Sequence, residues 1–335
     1  MTTAAVVGIG DISGNHLYAI ADNPDIELVA VCDIDPARAD AAAGHWGVPG
    51  FTDVDEMLAA VRPDVVHITL PHYLHAPVAA AALRAGCHVL TEKPVGESYG
   101  AGAELAATAR TSGRTLGVCF QNRYNDSSIA LRRLVDDRTY GRVLAGRASV
   151  WWHRNASYYA SSPWRGTWRE AGGGVLINQT IHTIDLLCWF LGAPESVSGV
   201  ASNLTHQGIV EVEDTATIVM RHPEGRSSVY FATNSHAVDA PVELELVFET
   251  ATVRLQGGVV TATTADGAVE VLATDAKAEG NRAYWGTSHA RLINDFHARV
   301  TAGEPFWIDA DAALVSLGVL RDVYVASGLV AESER

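Results

Sequence analysis

The stretch Gly8-Ile9-Gly10-Asp11-Ile12-Ser13-Gly14 decides the fold, because it joins an apolar run at 4–9 to a helical segment at 14–22. In a strand–turn–helix of this kind, the first glycine permits the sharp turn and the second lets backbone approach a pyrophosphate. The third small residue, Ser13, lets the helix pack on the sheet with its amino terminus aimed at the phosphates. The stretch therefore predicts a parallel α/β domain with a dinucleotide site at its first turn.

Asp33 strengthens this prediction, since it ends the next apolar run 19 residues after Gly14. A carboxylate at that position can accept hydrogen bonds from both ribose hydroxyls, although it can also simply cap the following turn. The first cationic residue after it is Arg38, so a 2′-phosphate would meet Asp33 and Asp35 without a local counter-charge. The sequence thus favours NAD over NADP.

Apolar runs at 4–9, 28–33, 65–70, 88–91 and 115–120 alternate with Ala-rich helical stretches. Strands at this spacing, each followed by a helix, indicate a doubly wound parallel sheet with right-handed crossovers. We assign residues 1–123 to this nucleotide-binding domain.

The pattern changes after about residue 123. The runs 215–221 and 227–233 alternate with period two, which is typical of an antiparallel sheet with one covered face. A single long helix is predicted over 174–191. Residues 124–335 are therefore expected to form a second α/β domain that binds substrate.

Composition narrows the class of protein. The chain has 335 residues, 48% of them hydrophobic, and a net charge of −15, which argues against nucleic acid or anionic lipid as a partner. No basic or twin-arginine start is present, and the most apolar helical stretch is interrupted by polar residues, so we expect a soluble cytoplasmic protein without a membrane partner. The cysteines are scattered without CxxC spacing and predict buried reduced thiols rather than a metal site: Cys32, Cys87, Cys119 and Cys188.

Two further loops follow strands of the first domain, where a doubly wound fold places its ligands. One contains Leu70-Pro71 and His75, and the other contains Glu92-Lys93. His75 either contacts the cofactor or caps its helix. Glu92-Lys93 would be a solvated charge pair on an ordinary loop, but this loop should open toward the nicotinamide end of a bound cofactor.

A third constellation lies on the predicted helix over 174–191. Spacings of four and three place Asn178, His182 and Asp185 on one face of that helix. Three aligned polar groups on an otherwise apolar helix are costly unless they face a cavity or each other. The alignment therefore indicates a site rather than a single core histidine.

These residues resemble the glucose–fructose oxidoreductase / inositol dehydrogenase / rhizopine catabolism (Gfo/Idh/MocA) family along almost the whole chain. The matching pieces are the glycine loop, residues 32–36, 71–75 and 85–94, and the block Gly172-Gly173-Gly174 with His182-Thr183-Ile184-Asp185. The resemblance implies a Rossmann domain, then an α/β domain with a large open antiparallel sheet used for oligomer contacts. It also implies an active site between the domains and a homodimer or homotetramer.

Carried over position by position, Lys93 is similar to the family's active-site lysine and His182 to its catalytic histidine. Asp185 is similar to an acid that contacts substrate in inositol dehydrogenases. Asn178 departs from the family, since many members have aspartate there, and an amide cannot take a proton. The residues expected to contact the cofactor lie in the strand-end loops or at the domain junction: Gly8, Gly10, Asp11, Ile12, Asp33, Ile34, Leu70, Pro71, His75, Glu92, Lys93 and Gln121.

The expected reaction is oxidation of a secondary hydroxyl of a sugar, glycoside or cyclitol. Neutral imidazole suits proton abstraction near pH 7, so we expect His182 to be the base and Lys93 to stabilise the alkoxide. An aromatic loop at 151–168 with interspersed donors suits sugar rings, although the same tryptophans would also suit a dimer surface. The residues expected to contact substrate are Lys93, Arg154, Tyr158, Arg165, Asn178, His182 and Asp185.

Several alternatives stay open at this point. A redox-assisted glycosidase that retains NAD would share the fold and the lysine. A non-catalytic NAD-binding sensor would have no need of Lys93 and His182. A keto-sugar reductase would catalyse the same reaction in the opposite direction. Gln121 either reaches the cofactor or, with Arg123, locks the domains.

Overall fold

The computed structural model describes residues 1–276 and 288–331. Contacts within the chain divide it into two units. The first unit consists of Met1–Gln121 and Thr287–Leu314, and the second of Asn122–Gly286 and Val315–Arg335. The first break falls two residues before the predicted boundary, but 287–314 group with the first unit rather than the second.

The first unit contains a six-stranded, fully parallel sheet in the order β3-β2-β1-β4-β5-β6. Four of its strands, β1, β4, β5 and β6, are almost wholly buried because helices cover both faces, whereas β2 and the short β3 are partly exposed. The elements are β1 (Thr2–Val7), α1 (Ser13–Ala21), β2 (Ile26–Cys32), α2 (Pro36–Trp46), β3 (Gly50–Phe51), α3 (Val54–Val61), β4 (Val65–Ile68), α4 (His72–Arg84), β5 (His88–Glu92), α5 (Tyr99–Ser112) and β6 (Leu116–Cys119). The predicted doubly wound sheet is confirmed.

Local sequence signals set the ends of its helices. The Asp35 side chain accepts a hydrogen bond from the Ala37 N–H at the start of α2, where Pro36 is the first helical residue. Gly47 ends the same helix in the left-handed region, with φ +68°. Ser98 and Gly113 bound α5 in the same way.

The second unit contains an eight-stranded sheet in the order β14-β13-β12-β11-β7-β10-β9-β8. Its elements are α6 (Asp126–Asp136), β7 (Val143–Trp151), α7 (Ala156–Ala160), α8 (Trp168–Ala171), α9 (Ile181–Leu191), β8 (Ser196–Ser202), β9 (Thr215–Arg221), β10 (Ser227–Thr233), β11 (Glu243–Phe248), β12 (Ala251–Gln256), β13 (Val259–Thr264) and β14 (Val269–Thr274). All neighbouring strands are antiparallel except β7 and β10. The predicted open sheet is therefore present, with one parallel pair.

The single helix predicted over 174–191 is wrong. A π-helical turn covers Val175–Gln179, and Thr180 leaves helical geometry at φ −120° and ψ 3° before α9 begins. The two helical segments Trp168–Gln179 and Ile181–Leu191 bend by 62°. Asn178 and His182 thus lie on different helical segments, and the argument from spacings of four and three does not apply to them.

Among the described residues, no single helix combines the length and apolarity needed to cross a bilayer, and only the bent pair just described meets both criteria jointly.

The last two helices are α10 (Ser288–Ala302) and α11 (Ala310–Ala326). Leu292, Ile293 and Phe296 of α10 are fully buried. A Cβ at Gly117 of β6 would lie 2.8 Å from the Phe296 ring, so this glycine lets α10 pack directly on the sheet. This packing explains why the stretch joins the first unit, a long-range contact that local patterns do not reveal.

Candidate active site

The glycine loop has the geometry that its sequence predicted. Gly8 has φ +94°, and a Cβ there would lie 2.7 Å from the Thr69 carbonyl oxygen, so only glycine fits. A Cβ at Gly10 would meet no atom within 4 Å, which leaves open space for a ligand beside the backbone. The Ser13 hydroxyl donates to the Gly10 carbonyl oxygen (2.7 Å) and closes the turn into α1.

Asp33 lies directly after β2 and is only 8% exposed. Its Oδ2 accepts from the Ile9 N–H (2.6 Å) and its Oδ1 from the Asp35 N–H (2.9 Å). The carboxylate therefore fixes the glycine loop to the end of β2, and each oxygen keeps a further acceptor site. Ile34 beside it is 90% exposed.

His75 connects the two other strand-end loops. Its Nδ1 lies 2.7 Å from the Pro94 carbonyl oxygen and its Nε2 lies 2.7 Å from that of Leu70. The ring is buried, and desolvation lowers the pKa of His75. It does not cap α4, whose N-cap is Pro71.

Glu92 is not part of a solvated charge pair, because it is buried at the end of β5. Its Oε1 accepts from His16 Nε2 (3.1 Å) and His289 Nε2 (3.2 Å), and its Oε2 from the backbone N–H of Lys93 (3.3 Å). Burial favours the neutral acid, but donation from the two histidines outweighs it and holds the pKa of Glu92 well below its usual range. Lys93 itself is half-buried.

All four cysteines are free and buried, as predicted. Donor atoms of His16, Glu92 and Cys119 lie within 4.8 Å of one another, so these side chains are of the type and spacing that could hold a metal ion. The search for local cysteine spacing missed this group, because its members come from three separate elements.

In the second unit, three predicted substrate residues lie around a fourth, Tyr158. The guanidinium carbons of Arg154 and Arg165 lie 5.3 Å and 5.0 Å from the ring centroid. At the other end, the Tyr158 hydroxyl accepts from Gln179 Nε2 (3.0 Å), and Asn178 Nδ2 lies 3.5 Å away. The structure thus brings Arg154, Tyr158, Arg165 and Asn178 together.

Further contacts hold this cluster in place. Arg154 donates to Asp239 (3.0 Å) and lies over the ring of Trp152, with 5.1 Å between guanidinium carbon and ring centroid. Gln179 Oε1 accepts from Asn234 Nδ2 (3.2 Å), and Asn234 is fully buried. The sequence interpretation missed Gln179 and Asn234 as members of the site. For Gln179 the signal was its place directly after Asn178.

Asp185 lies outside that cluster. Its carboxylate is 1% exposed and accepts two hydrogen bonds from Arg123, from Nε (2.8 Å) and Nη2 (2.6 Å). Burial raises the pKa of Asp185 even though Arg123 acts in the opposite direction. The Arg123–Asp185 ion pair contacts the buried side of α9. His182, on the first turn of α9, is half-buried.

The glycine triplet before Asn178 is held by Glu213. Glu213 accepts from the N–H groups of Gly174 (2.7 Å) and Leu176 (3.0 Å) and from the Tyr324 hydroxyl (2.9 Å). A Cβ at Gly174 would lie 1.9 Å from the Glu213 carbonyl oxygen, and one at Gly173 would lie 2.2 Å from the Tyr324 hydroxyl. Both glycines are required by this close approach. Desolvation raises the pKa of Glu213 to about 7.

The remaining predicted cofactor residues all lie in the first unit. Asp11 is exposed; Ile12, Leu70 and Pro71 are half-buried; Gln121 is buried at the start of a short 3₁₀ turn that ends at Tyr124.

Two family models match the chain. Residues 2–120 match the model described as an oxidoreductase family with an NAD-binding Rossmann fold, and residues 129–254 match a GFO/IDH/MocA C-terminal domain. Among curated proteins, the chain is 33% identical over 195 residues to D-glucoside 3-dehydrogenase of Escherichia coli (strain K12), covering 57% of this chain and 54% of that protein. It is 33% identical over 190 residues to an inositol 2-dehydrogenase of Rubrobacter xylanophilus, and this match covers 56% of this chain and 51% of that protein. The matches thus span about half the length of these curated relatives.

Solved structures are similar over nearly the whole chain. The WlbA dehydrogenase from Bordetella pertussis, in complex with NADH and UDP-GlcNAcA, has a TM-score of 0.85 at 28% identity and covers 98% of this chain and 96% of its own. A levoglucosan dehydrogenase in complex with NADH and levoglucosan has a TM-score of 0.88 at 19% identity, covering 100% and 98%, and supports the fold alone.

Proposed function

Because the chain belongs to the GFO/IDH/MocA family of oxidoreductases with an NAD-binding Rossmann fold, we propose that it is an NAD-dependent dehydrogenase that oxidises a secondary hydroxyl of a sugar, glycoside or cyclitol. The curated relatives named above include a glucoside and an inositol dehydrogenase, which supports this substrate class. One observation carries the proposal: an aromatic ring flanked by two guanidinium groups and two side-chain amides at Tyr158.

The first unit fits a dinucleotide. Gly8 lets the backbone turn, Gly10 leaves space for a diphosphate, and the amino end of α1 favours negative charge there. Asp33 retains acceptor sites for ribose hydroxyls. Arg38, the first cation after Asp33 in the sequence, faces Asp35, with 3.6 Å between Nε and Oδ2, which supports NAD rather than NADP. When bound, NAD⁺ supplies the hydride acceptor.

The cluster around Tyr158 suits a polyhydroxylated ring. An aromatic face packs against C–H groups of a sugar, while guanidinium and amide donors bind hydroxyl oxygens. Asn178 and Gln179 can each donate and accept, so they can orient a hydroxyl but cannot remove its proton. We assign substrate binding to Arg154, Tyr158, Arg165 and Asn178.

We assign the chemistry to Lys93 and His182. The imidazole of His182 accepts the hydroxyl proton as the hydride leaves, and the ammonium of Lys93 stabilises the developing alkoxide. Because Arg123 already donates two hydrogen bonds to the Asp185 carboxylate, we assign Asp185 to positioning α9. Contact between Asp185 and substrate stays a prediction.

The activity test is a panel of sugars, glycosides and cyclitols with NAD⁺ and with NADP⁺, followed at the nicotinamide absorbance. We expect reduction of NAD⁺ with at least one polyol and a preference for NAD⁺. Cleavage of a glycoside without net NADH would instead indicate the redox-assisted glycosidase. Binding of NAD⁺ with neither reaction would indicate a sensor.

The lysine assignment has a matched control in the chain itself, because Lys93 and Lys277 are its only lysines. We expect Lys93→Ala to lower kcat by a factor of about 10² to 10³, the usual effect of losing one oxyanion donor, and Lys277→Ala to leave it unchanged. In Lys277→Arg protein, Lys93 is the sole side-chain amine, so an amine-specific label reports on it once the label on the α-amino group is separated by peptide mapping. Near-normal turnover by Lys93→Ala would contradict the assignment.

A homodimer or homotetramer also remains a proposal. The outer face of the second sheet exposes Val200 (56%), Val219 (45%) and Val229 (50%), which supports burial against a second copy. Sedimentation equilibrium measures the assembly directly.

A further inference from the structure

A row of three buried histidines crosses the first unit. The hydroxyl of Thr2 lies 2.7 Å from His297 Nδ1, His297 Nε2 lies 2.9 Å from His67 Nε2, and His67 Nδ1 lies 2.8 Å from His16 Nδ1. His16 Nε2 then lies 3.1 Å from Glu92 Oε1. We call His297, His67 and His16 the histidine row. Neither the sequence interpretation nor the proposed function uses it.

The positions of the protons along the row are linked. Two contacts join one ring nitrogen to another, and in each of them one nitrogen must donate and the other accept. A neutral imidazole carries one N–H and one lone pair. If Glu92 is a carboxylate, His16 must carry its proton on Nε2, and each later proton position follows from the one before. His67 donates from Nδ1, His297 donates from Nε2, and the Thr2 hydroxyl donates to His297.

Burial keeps these rings neutral. Desolvation lowers the pKa of His16, lowers that of His67 well below its usual range, and lowers that of His297 to about 4. A charged ring would also place two N–H groups opposite each other at a ring-to-ring contact. The row therefore has two self-consistent states that differ only in direction.

The row also joins opposite edges of the sheet. Thr2 is the first residue of β1, and Glu92 is the last residue of β5. Since all strands are parallel, these ends lie at the amino and carboxyl edges. Ligands of such sheets bind at the carboxyl edge. The row thus connects the ligand edge to the far edge through the protein interior.

We propose that Thr2 and the histidine row form a proton relay that exchanges one proton between solvent at the amino edge and the Glu92 carboxylate beside Lys93. Its use in catalysis rests on the proposed function, because oxidation of an alcohol releases one proton per hydride transferred and reduction of a carbonyl consumes one. In the proton order given above, Glu92 is the group through which the relay supplies the proton that reduction of a carbonyl consumes. Outward transfer after oxidation requires every ring to start with its proton on the other nitrogen.

The transfer balances without any further reactant. At the amino edge, where Thr2 is 7% exposed, the relay begins with a proton passing from solvent to the Thr2 oxygen, while the hydroxyl proton of Thr2 moves to His297 Nδ1. The proton on His297 Nε2 moves to His67 Nε2, the one on His67 Nδ1 moves to His16 Nδ1, and the one on His16 Nε2 moves to Glu92 Oε1. One proton has crossed, each ring is neutral again with its proton on the other nitrogen, and the reverse sequence restores the starting state.

Glu92 is also faced by groups outside the row. His289 on α10 donates to the same Oε1, the Lys93 N–H donates to Oε2, and the thiol of Cys119 on β6 hydrogen-bonds to the carboxylate. These donors favour the ionised form, so the resting relay is oriented to deliver a proton to Glu92.

The first test needs neither substrate nor cofactor. Long-range ¹H–¹⁵N NMR of the full chain, with assigned histidines, reports which nitrogen of each ring carries the proton. We expect protons on His16 Nε2, His67 Nδ1 and His297 Nε2. A doubly protonated ring, or any pattern that breaks this alternation, would overturn the relay. A stoichiometric zinc ion in the purified protein that is lost in Cys119→Ser would overturn it as well, because it would identify a metal site.

The second test separates conduction from structural support. In His67→Gln, the amide can still donate and accept hydrogen bonds but cannot pass a proton on, whereas His67→Phe removes both functions. In the direction of carbonyl reduction, with the ketone product and NADH, we expect proton uptake from an indicator dye to lag NADH oxidation by at least about tenfold in both variants and to keep pace with it in wild type. A lag in His67→Phe alone would show a structural role and overturn the relay, as would no lag in either.

Thr2, at the amino-edge end of the relay, allows a matched pair of variants. Thr2→Ser keeps the hydroxyl, and we expect it to take up protons during carbonyl reduction as wild type does, whereas Thr2→Val should lag. Equal uptake by the two variants would overturn the relay as drawn. If no polyol reduces NAD⁺ in wild type, the proposed function fails, and the NMR pattern still decides whether the row has the required proton order.

Discussion

Asp33 shows how one side chain serves both the fold and the proposed cofactor. Its two oxygens already hold the N–H groups of Ile9 and Asp35. We expect Asp33→Ala to leave these donors unpaired and to lower the free energy of unfolding by about 1–3 kcal/mol. Since the glycine loop also loses its tether, the Kd for NAD⁺ should rise by a factor of about ten or more, as measured by titration calorimetry.

Asp35 is the matched control for that substitution. It is exposed, accepts from Ala37 N–H and caps α2. Asp35→Ala should cost about 1 kcal/mol of stability through the lost cap but leave the Kd for NAD⁺ unchanged. Equal losses of NAD⁺ affinity in the two variants would contradict the specific role of Asp33.

At the scale of elements, Glu213 fixes where the π-helical turn begins and thereby where Asn178 and Gln179 stand. Glu213→Gln keeps the size of the side chain, but its amide nitrogen cannot accept from either loop N–H. We expect kcat/KM for the polyol to fall about tenfold or more, while NAD⁺ affinity, which belongs to the first unit, is unchanged. Loss of NAD⁺ affinity instead would point to general unfolding.

The same carboxyl links stability to pH. Its pKa is about 7 in the folded chain and near 4.5 when unfolded, so the folded state binds the proton more tightly. Its contribution is therefore complete below pH 4.5 and is lost as pH rises through 7, by about 3 kcal/mol in total. Denaturant unfolding at pH 5 and pH 8 should show wild type losing stability relative to Glu213→Gln. A constant difference between the two proteins would contradict the raised pKa.

Elements with strong local signals were predictable from the sequence, and those set by distant contacts were not. The glycine loop forms within a few residues and Asp33 directly follows an apolar run, and the structure has both where they were expected. The break at Thr180 depends on Glu213 and Tyr324, which lie far along the chain. The edge strand β8, with three serines and a glycine in seven residues, shows little apolar pattern.

The candidate site shows the same difference between features set by local sequence and features set by distant contacts. The local sequence identified the aromatic loop around Tyr158, and the structure brings its predicted members together. The sequence did not reveal the distant partners of polar residues, such as Arg123 for Asp185, or His16 and His289 for Glu92. Such pairings are unpredictable from one sequence, because spacing shows which residues share a face but not what the fold places opposite them.

At the scale of the whole molecule, the two units should respond differently to ligands. Every residue assigned to NAD⁺ lies in the unit that contains the parallel sheet, and the cluster around Tyr158 lies in the other unit. A ligand stabilises only the conformations that hold it, by about 2.7 kcal/mol at a hundredfold excess over Kd. In hydrogen exchange, NAD⁺ alone should therefore slow the amides of the first unit that exchange by opening of its sheet. The amides of α9 should gain protection only when a polyol substrate is added with NAD⁺. Protection of α9 by NAD⁺ alone, with none in β1 or β4, would contradict the assignment of the cofactor to the first unit.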